Sequence, residues 1–436
     1  MEEKLLILGS DYNSINVVKE AKKCGIYVIV ADLMLTSPTK VAADEAWLIS
    51  TTDIDTLEYK CKEVGVTAVM FGASDFNISQ SRILCRRLGL PIYCDNDYTW
   101  EVARNKRMFK DICKEVGAPI AEDYFLSEKL ACEELKKVVY PVVVKPCDKS
   151  GNRGMHYCSN AEELRVAWKK ARDVTNNTII VERRLNGPEF NVHYAIADGE
   201  MSLLYFSATH HQPGEAENLY SFKYTSSAYL KQFINEVNDK VIAVLKKAGC
   251  KEGIAWVDVM RDTDGKFYLL EMGYRFGGVM TYIPYIKVSG FNTIGWMLDC
   301  ARGVKHKSCD LPISLNHAFE GTAASYHLFA KKTGKIAIFE GLEEIERMEG
   351  VWVDCPKRIG SEIRNYASSG LIGIYGKDID DLCMKLRAIN AVLKVLNSEG
   401  ENMVIRFTDE TTIRKEYQQG IDEFKISTEV IRNDSM

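Results

Sequence analysis

The chain has 436 residues, too long for one hydrophobic core, so roughly two to four domains are expected. Hydrophobic residues make up 46% and charged residues 27%, and a net charge of -5 gives no reason to expect nucleic acid or an anionic membrane as partner. No run of about 18 apolar residues occurs, the acidic start MEEK has the wrong polarity for a secretory signal, and 13 cysteines without a C-x-x-C pair read as reduced thiols, so a cytoplasmic protein is expected.

Residues 4–9, KLLILG, have the pattern of a short buried strand ending in glycine. A helix over 13–24 (Ile15, Val18, Ala21), a strand over 27–31, a helix over 56–64, a strand over 67–71, a helix over 78–88 and a fourth strand over 90–93 follow. Strands alternating with helices of this length predict a parallel α/β domain over 1–98. The first turn, Gly9-Ser10-Asp11-Tyr12-Asn13-Ser14, has one glycine where a dinucleotide fingerprint needs three, although Asp32 stands where its acid would. Residues 100–116 read as one basic helix (Arg104, Lys106, Arg107, Lys110), a charge run that ordinarily forms a solvated face, stopped by Gly117-Ala118-Pro119.

The middle region, 99–303, continues with strand 140–145 (YPVVVK), the loop 146–154 (PCDKSGNRG), a helix over 161–174 and strand 178–182 (TIIVE). It is strand-rich to about 285 and ends on a helix over 293–303. The last region, 304–436, reads as α+β: strand-like 370–375, a helix over 378–396, a final strand 403–407 and a frayed last dozen residues.

Three segments carry chemistry. In VDVMRDTDGKFYLLEMGYRFGG, Asp258 and Glu271 lie on two strands joined by the turn Asp262-Thr263-Asp264-Gly265, with Arg275 beyond. Hairpin pairing could set the two carboxylates side by side, and a hard cation between them would relieve their repulsion. Taken alone, the segment also fits an ordinary hairpin with solvated acids. Lys145 ends an apolar strand and opens a loop whose Gly151 and Gly154 would let backbone N–H groups close over an anion; taken alone, the loop fits a surface hairpin turn better. In Glu182-Arg183-Arg184-Leu185-Asn186-Gly187-Pro188-Glu189, a strand runs into a connector whose backbone could read a flat base. His210, His211, Gln212, Tyr220 and Lys223 are polar candidates for a substrate pocket, as are the aromatics Tyr274, Tyr282 and Tyr285. Adjacent on a strand, His210 and His211 would point to opposite faces.

Taken in order, Lys106, the 145–154 segment, E-x-x-L-x-G-x-E at 182–189, and the acid, acid and arginine at 258, 271 and 275 resemble the ATP-grasp superfamily along nearly the whole chain. The pattern is similar to amino-acid ligases, phosphoribosylglycinamide synthetase, a single half of the carbamoyl-phosphate synthetase large chain, and biotin carboxylase. The resemblance implies an N-terminal parallel α/β domain, a two-part α+β ATP-grasp region and a C-terminal α+β domain. It implies ATP and Mg2+ (Mn2+ substituting), small carboxylate and amine substrates, and possible homodimers. It assigns Lys106 and Lys145 to the phosphates, Ser150, Gly151 and Gly154 to a lid loop, and Glu182, Arg183 and Leu185 to the adenine. Glu189 would take the ribose, Asp258 and Glu271 the metal, and Arg275 the substrate, so that Arg275 and Lys145 are the catalytic pair. The chain departs from the family's E-x-N-x-R at Gly273, which supplies no oxygen; Gly273→Asn is therefore expected to raise Mg2+ affinity. The departure also keeps open a non-catalytic ATP-binding protein. After Arg275 the run Phe276-Gly277-Gly278 lacks the acid that a bicarbonate-activating relative carries there, which weakens that alternative.

Overall fold

The computed structural model describes residues 2–11, 13–149, 153–216, 219–225, 228–278, 281–312 and 321–433, with side chains through residue 423. The N-terminal sheet is parallel, in the spatial order Glu45–Trp47, Tyr27–Ala31, Lys4–Leu8, Ala68–Phe71. Leu5 to Leu8 and Val28 to Ala31 are fully buried, because helices such as Ser14–Lys23, Ile54–Val64 and Asp75–Leu88 cover both faces. Strand order reverses between Lys4–Leu8 and Ala68–Phe71, which opens a crevice beyond their C-terminal ends. Helix Asp75–Leu88 starts at that crevice, its first turn closed by Ser74 accepting from the Asn77 N–H.

Two readings of this region change. Residues 90–93 form no strand: the chain leaves Gly89 (φ +68°) through Pro91, which has no N–H to give a ladder. The edge position is taken by the three-residue strand Glu45–Trp47, too short to show a period. The basic helix is two helices, Asp97–Arg104 and Lys106–Glu115, broken at Asn105 (φ -122°, ψ 104°). The Asn105 side chain accepts from the N–H groups of Arg107 (3.0 Å) and Met108 (3.3 Å), capping the second helix.

A small antiparallel sheet follows, ordered Asp123–Tyr124, Ile179–Arg183, Val142–Pro146, His156–Cys158. Val142, Val144, Ile179 and Val181 pack on Leu164, Ala167 and Trp168 of helix Ala161–Arg172. The alternate residues, Val143, Lys145 and Glu182, therefore face the other way. A larger antiparallel sheet lies opposite, ordered Phe267–Gly273, Gly253–Arg261, Glu189–Ala197, Glu200–His211, Tyr220–Thr225, Thr322–Phe329, Ser368–Gly376, Val351–Asp354. Its strands come from both sides of residue 304. One face buries Phe190, Phe206, Phe222 and Phe267 in the main core; the other carries Glu189, Asn191 and His193.

Toward the C-terminus, residues 403–407 are buried except for the half-buried Arg406, and Val404 makes an isolated bridge to Ala330 rather than forming part of a strand. The helix expected over 378–396 ends at Val392 and gives way to strand Lys394–Leu396. Of the last dozen residues, expected to fray, 425–433 continue the helix Glu410–Asn433, and 434–436 lie outside the described residues. All 13 cysteines are free, and ten are buried. Among the described residues, no helix is long and apolar enough to cross a membrane.

Candidate active site

The hairpin forms as its sequence predicts. Asp262 N–H donates to the Lys266 carbonyl (2.9 Å) and Gly265 turns at φ +82°. Strands Gly253–Arg261 and Phe267–Gly273 then pair so that Asp258 stands directly opposite Glu271. A bulge between Asp258 and Val259 shifts the register just past this pair, a local re-aiming common at sites.

Lysines surround the two acids. Lys106, the first residue of its helix, holds Glu271 at 2.6 Å and donates to the Lys149 carbonyl at 2.7 Å. Across the cleft, Lys145 and Glu182 are diagonal neighbours on paired strands and form an ion pair. The other oxygen of Glu182 takes Lys110 at 2.7 Å, and Lys110 is 1% exposed. Lys110 is thus no part of a solvated face: its helix turns it inward onto a buried carboxylate. With both oxygens of Glu182 engaged by lysines, that residue offers the cavity its backbone. Glu189 accepts from the Tyr220 hydroxyl at 2.6 Å.

These groups line one cavity between the two antiparallel sheets, together with Leu185 and the aliphatic side chains of Val143 and Met260. Apolar walls with polar groups at one end suit a flat base and its phosphates. Arg183, also on the wall, is held by Asp262 at 2.5 Å; the same carboxylate accepts from the Asn186 N–H at 2.8 Å, fixing the connector. Gly154 is required where it stands: at φ +76° a Cβ would lie 2.7 Å from Val174 and 2.9 Å from Pro146. Ser150 and Gly151 lie outside the described residues.

The charges are unevenly poised. Burial pushes Glu189 up to about 7, and repulsion from Asp258 adds to it. Burial likewise pushes Asp258 up to about 6; Lys223 pulls the other way, and the charge of Glu271 raises it further. Burial also acts to raise Glu271, but the charge and hydrogen bond of Lys106 outweigh it and hold that carboxyl below its ordinary value. Two half-buried, opposed carboxylates lining a cavity are a hard-oxygen donor set that fits Mg2+.

Lys223 was expected in a substrate pocket. It projects from strand Tyr220–Thr225 so that its charge bears on Asp258, Glu189 and His193, on the acid side of that cavity between the sheets. A lysine between Phe222 and Tyr224 in an alternating strand was the available signal. His210 and His211 do point apart: His210 is turned in, 3.1 Å from Glu416, while His211 is exposed. Tyr274, Tyr282 and Tyr285 are core residues.

A second cavity opens on the far side of Lys106 and Glu271, lined by Asp75, Ser79, Gln80, Arg104, Trp256 and Arg275, among others. Arg275 donates to Asp75 at 2.6 Å, joining the hairpin to the N-terminal domain, and stacks over Trp256. Trp256 also explains Gly273. The two residues are paired across the hairpin, and a Cβ on Gly273 would lie 2.3 Å from the indole ring. An asparagine at 273 meets the indole in the space its side chain would need, so the gain of Mg2+ affinity expected of Gly273→Asn has no room to develop while Trp256 keeps its place.

Residues 138–283 match the family model described as the ATP-grasp domain. D-alanine–D-alanine ligase of Stutzerimonas stutzeri is 27% identical over 192 residues, which are 42% of this chain and 59% of the ligase, so the chain spans about three fifths of that relative's length. The solved L-amino acid ligase of Bacillus licheniformis superposes with a TM-score of 0.74 at 19% identity, covering 91% of this chain and 99% of that one. The biotin carboxylase domain dimer of Hydrogenobacter thermophilus 2-oxoglutarate carboxylase, in complex with MgADP, ADP and bicarbonate, has the same TM-score at 18% identity, covering 93% and 92%. These likenesses fix the fold: a parallel N-terminal sheet followed by the antiparallel sheets of ATP-grasp proteins.

Proposed function

We propose that this chain, a member of the ATP-grasp superfamily, is an ADP-forming ligase that joins a small carboxylate to an amine. The observation that carries the reading is the pairing of Asp258 with Glu271 in register, ringed by Lys106, Lys145 and Lys223, between two cavities.

ATP enters the cavity between the sheets. The 183–185 backbone and Leu185 take the base, and Glu189 takes a ribose hydroxyl. The three lysines grip the phosphates as point charges. Asp258 and Glu271 would hold Mg2+, which when bound neutralises phosphate charge. The acid substrate lies in the second cavity, its carboxylate drawn to Arg275. A carboxylate oxygen attacks the γ-phosphorus, the bond to the β-phosphate oxygen breaks, and ADP leaves with that electron pair. The amine nitrogen then attacks the acyl carbon, phosphate departs, and the nitrogen loses a proton. Lysines fixed beforehand stabilise the developing charge without reorganising.

The test is release of ADP by the purified protein with MgATP and pooled amino acids plus small carboxylates. The reading expects ADP and phosphate to appear in equal amounts when a productive pair is present. Trp256 standing where a further metal ligand would sit favours, as a second reading, a nucleotide-binding protein without turnover. Tight MgADP binding with no ADP release from any mixture would select it. Release that depends on bicarbonate alone would instead select a carboxylase-type member. Light scattering tests whether the chain forms a homodimer.

A further inference from the structure

Strand Glu189–Ala197 presents Glu189, Asn191 and His193 on one face. On one side Asn191 pairs with Asp258; on the other, Asn191 and His193 pair with Ser207 and Tyr205. The amide Nδ2 of Asn191 lies 2.5 Å from Asp258 Oδ1. Its Oδ1 is in hydrogen-bond contact with His193 Nε2, and His193 Nδ1 lies 3.0 Å from the Tyr205 hydroxyl. Asn191, His193 and Tyr205 are 6%, 0% and 2% exposed, so water cannot replace the links among these three, while the Asp258 end of the row is half-buried.

Chemistry sets the direction of every proton in this row. An ionised Asp258 accepts only, so Asn191 must turn its NH2 toward it. The Asn191 carbonyl then faces His193 and needs a donor, so Nε2 carries the hydrogen. Nδ1 is left bare and accepts a hydrogen bond from the Tyr205 hydroxyl. Burial keeps the ring neutral, which agrees with a single tautomer. Gly277, two residues past Arg275, packs closely over the ring: a Cβ there would lie 3.1 Å from His193 Cε1.

We propose that Asn191 is a positioning residue for Asp258, oriented in turn by His193 and Tyr205. By donating to Oδ1 it fixes the carboxylate plane and leaves Oδ2 for a ligand. This rests on the reading of Asp258 as a metal acid. Outer-shell partners of this kind are worth about 10- to 100-fold in metal affinity.

The experiment is titration of the full-length protein with Mn2+ in the presence of ADP, followed by electron paramagnetic resonance, alongside metal-free ADP binding. Asn191→Leu, which keeps the volume and loses the donor, is expected to weaken Mn2+ at least about tenfold while leaving metal-free ADP affinity unchanged. Tyr205→Phe is expected to weaken it by less. Asp258→Asn serves as the reference. Wild-type Mn2+ affinity in Asn191→Leu, with loss in Asp258→Asn, would overturn the positioning role alone. Wild-type affinity in Asp258→Asn as well would remove the metal assignment beneath it. Should Asn191→Leu not fold, nitrogen NMR of the wild-type His193 ring decides: a neutral ring with hydrogen on Nε2 is expected, and hydrogen on Nδ1 or on both nitrogens overturns the proposal.

Discussion

An ideal Cβ on Gly273 would lie 2.3 Å from two carbons of the Trp256 ring and 2.6 Å from its Nε1, so asparagine can enter only if the indole leaves. Forcing it in should cost about 1–3 kcal/mol by overpacking. Gly273→Asn alone is therefore expected to lower the urea midpoint and leave Mn2+ affinity no better than wild type. Combined with Trp256→Ala, which empties the space, it should recover most of the midpoint and bind Mn2+ more tightly than Trp256→Ala alone. No difference between those last two proteins would show that the position does not reach the metal. Lys145 gives the complementary case. Glu182 keeps Lys110 when Lys145 is removed, so Lys145→Ala should fold normally. Turnover should fall about 100-fold or more, on the order of 3 kcal/mol of transition-state stabilisation; near wild-type ADP release would exclude Lys145 from the site. The opposed acids could be read from the sequence because a hairpin turn plus the period of two fixes who faces whom. Trp256 against Gly273 follows from the same register, but only once the pairing is known. The burial of Lys110 could not be read, because which helix face turns inward depends on Glu182, more than 70 residues away.

At the scale of elements, the most consequential departure is the break at Asn105. A continuous helix over 100–116 would carry Lys106 mid-helix; the break makes it the first residue, where it reaches Glu271 and Lys149. The cap that permits this is a single side chain. Asn105→Ala should cost about 1 kcal/mol, and Asn105→Asp much less, since aspartate accepts from the same N–H groups. Chemical denaturation checks the first effect. If the cap also sets Lys106, KM for MgATP should rise in Asn105→Ala and stay near wild type in Asn105→Asp. Strong periodic segments such as 4–8, 27–31 and 142–146 were legible, because their burial is dictated by β-branched and aliphatic runs. Residues 90–93 and 403–407 have the same composition without the ladder. Apolar character predicts burial, and pairing needs a partner with free N–H and C=O groups.

At the scale of the whole molecule, the helix Lys106–Glu115 ties the small sheet, through Lys110 and Glu182, to the large one, through Lys106 and Glu271. Arg275 and Asp75 tie both to the N-terminal domain. Closing these pieces around the cleft buries acids whether or not a ligand is there, and that leaves a pH signature. In the unfolded chain Asp258 and Glu189 ionise near pH 4. In the folded chain burial raises them to about 6 and about 7. Between these values the native state holds protons that the unfolded chain has released, so this contribution to stability is full below about pH 4 and is lost as pH rises to about 7. Glu182 and Glu271 have lowered values in the folded chain and act oppositely, but their contribution is already lost or gained below the ordinary glutamate range. Between about pH 5 and 7 these two acids should therefore draw down the stability of the ligand-free protein, against an opposing gain from His193 and His327, whose buried neutral rings favour higher pH up to the ordinary histidine range. A divalent cation with ADP requires the ionised acids, so the stabilisation it confers should grow over the same interval. Thermal unfolding at several pH values, with and without MgADP, checks both slopes. Asp258→Asn should raise the ligand-free slope. A slope that persists unchanged in Asp258→Asn and in Glu189→Gln would place the titrating groups outside this cleft.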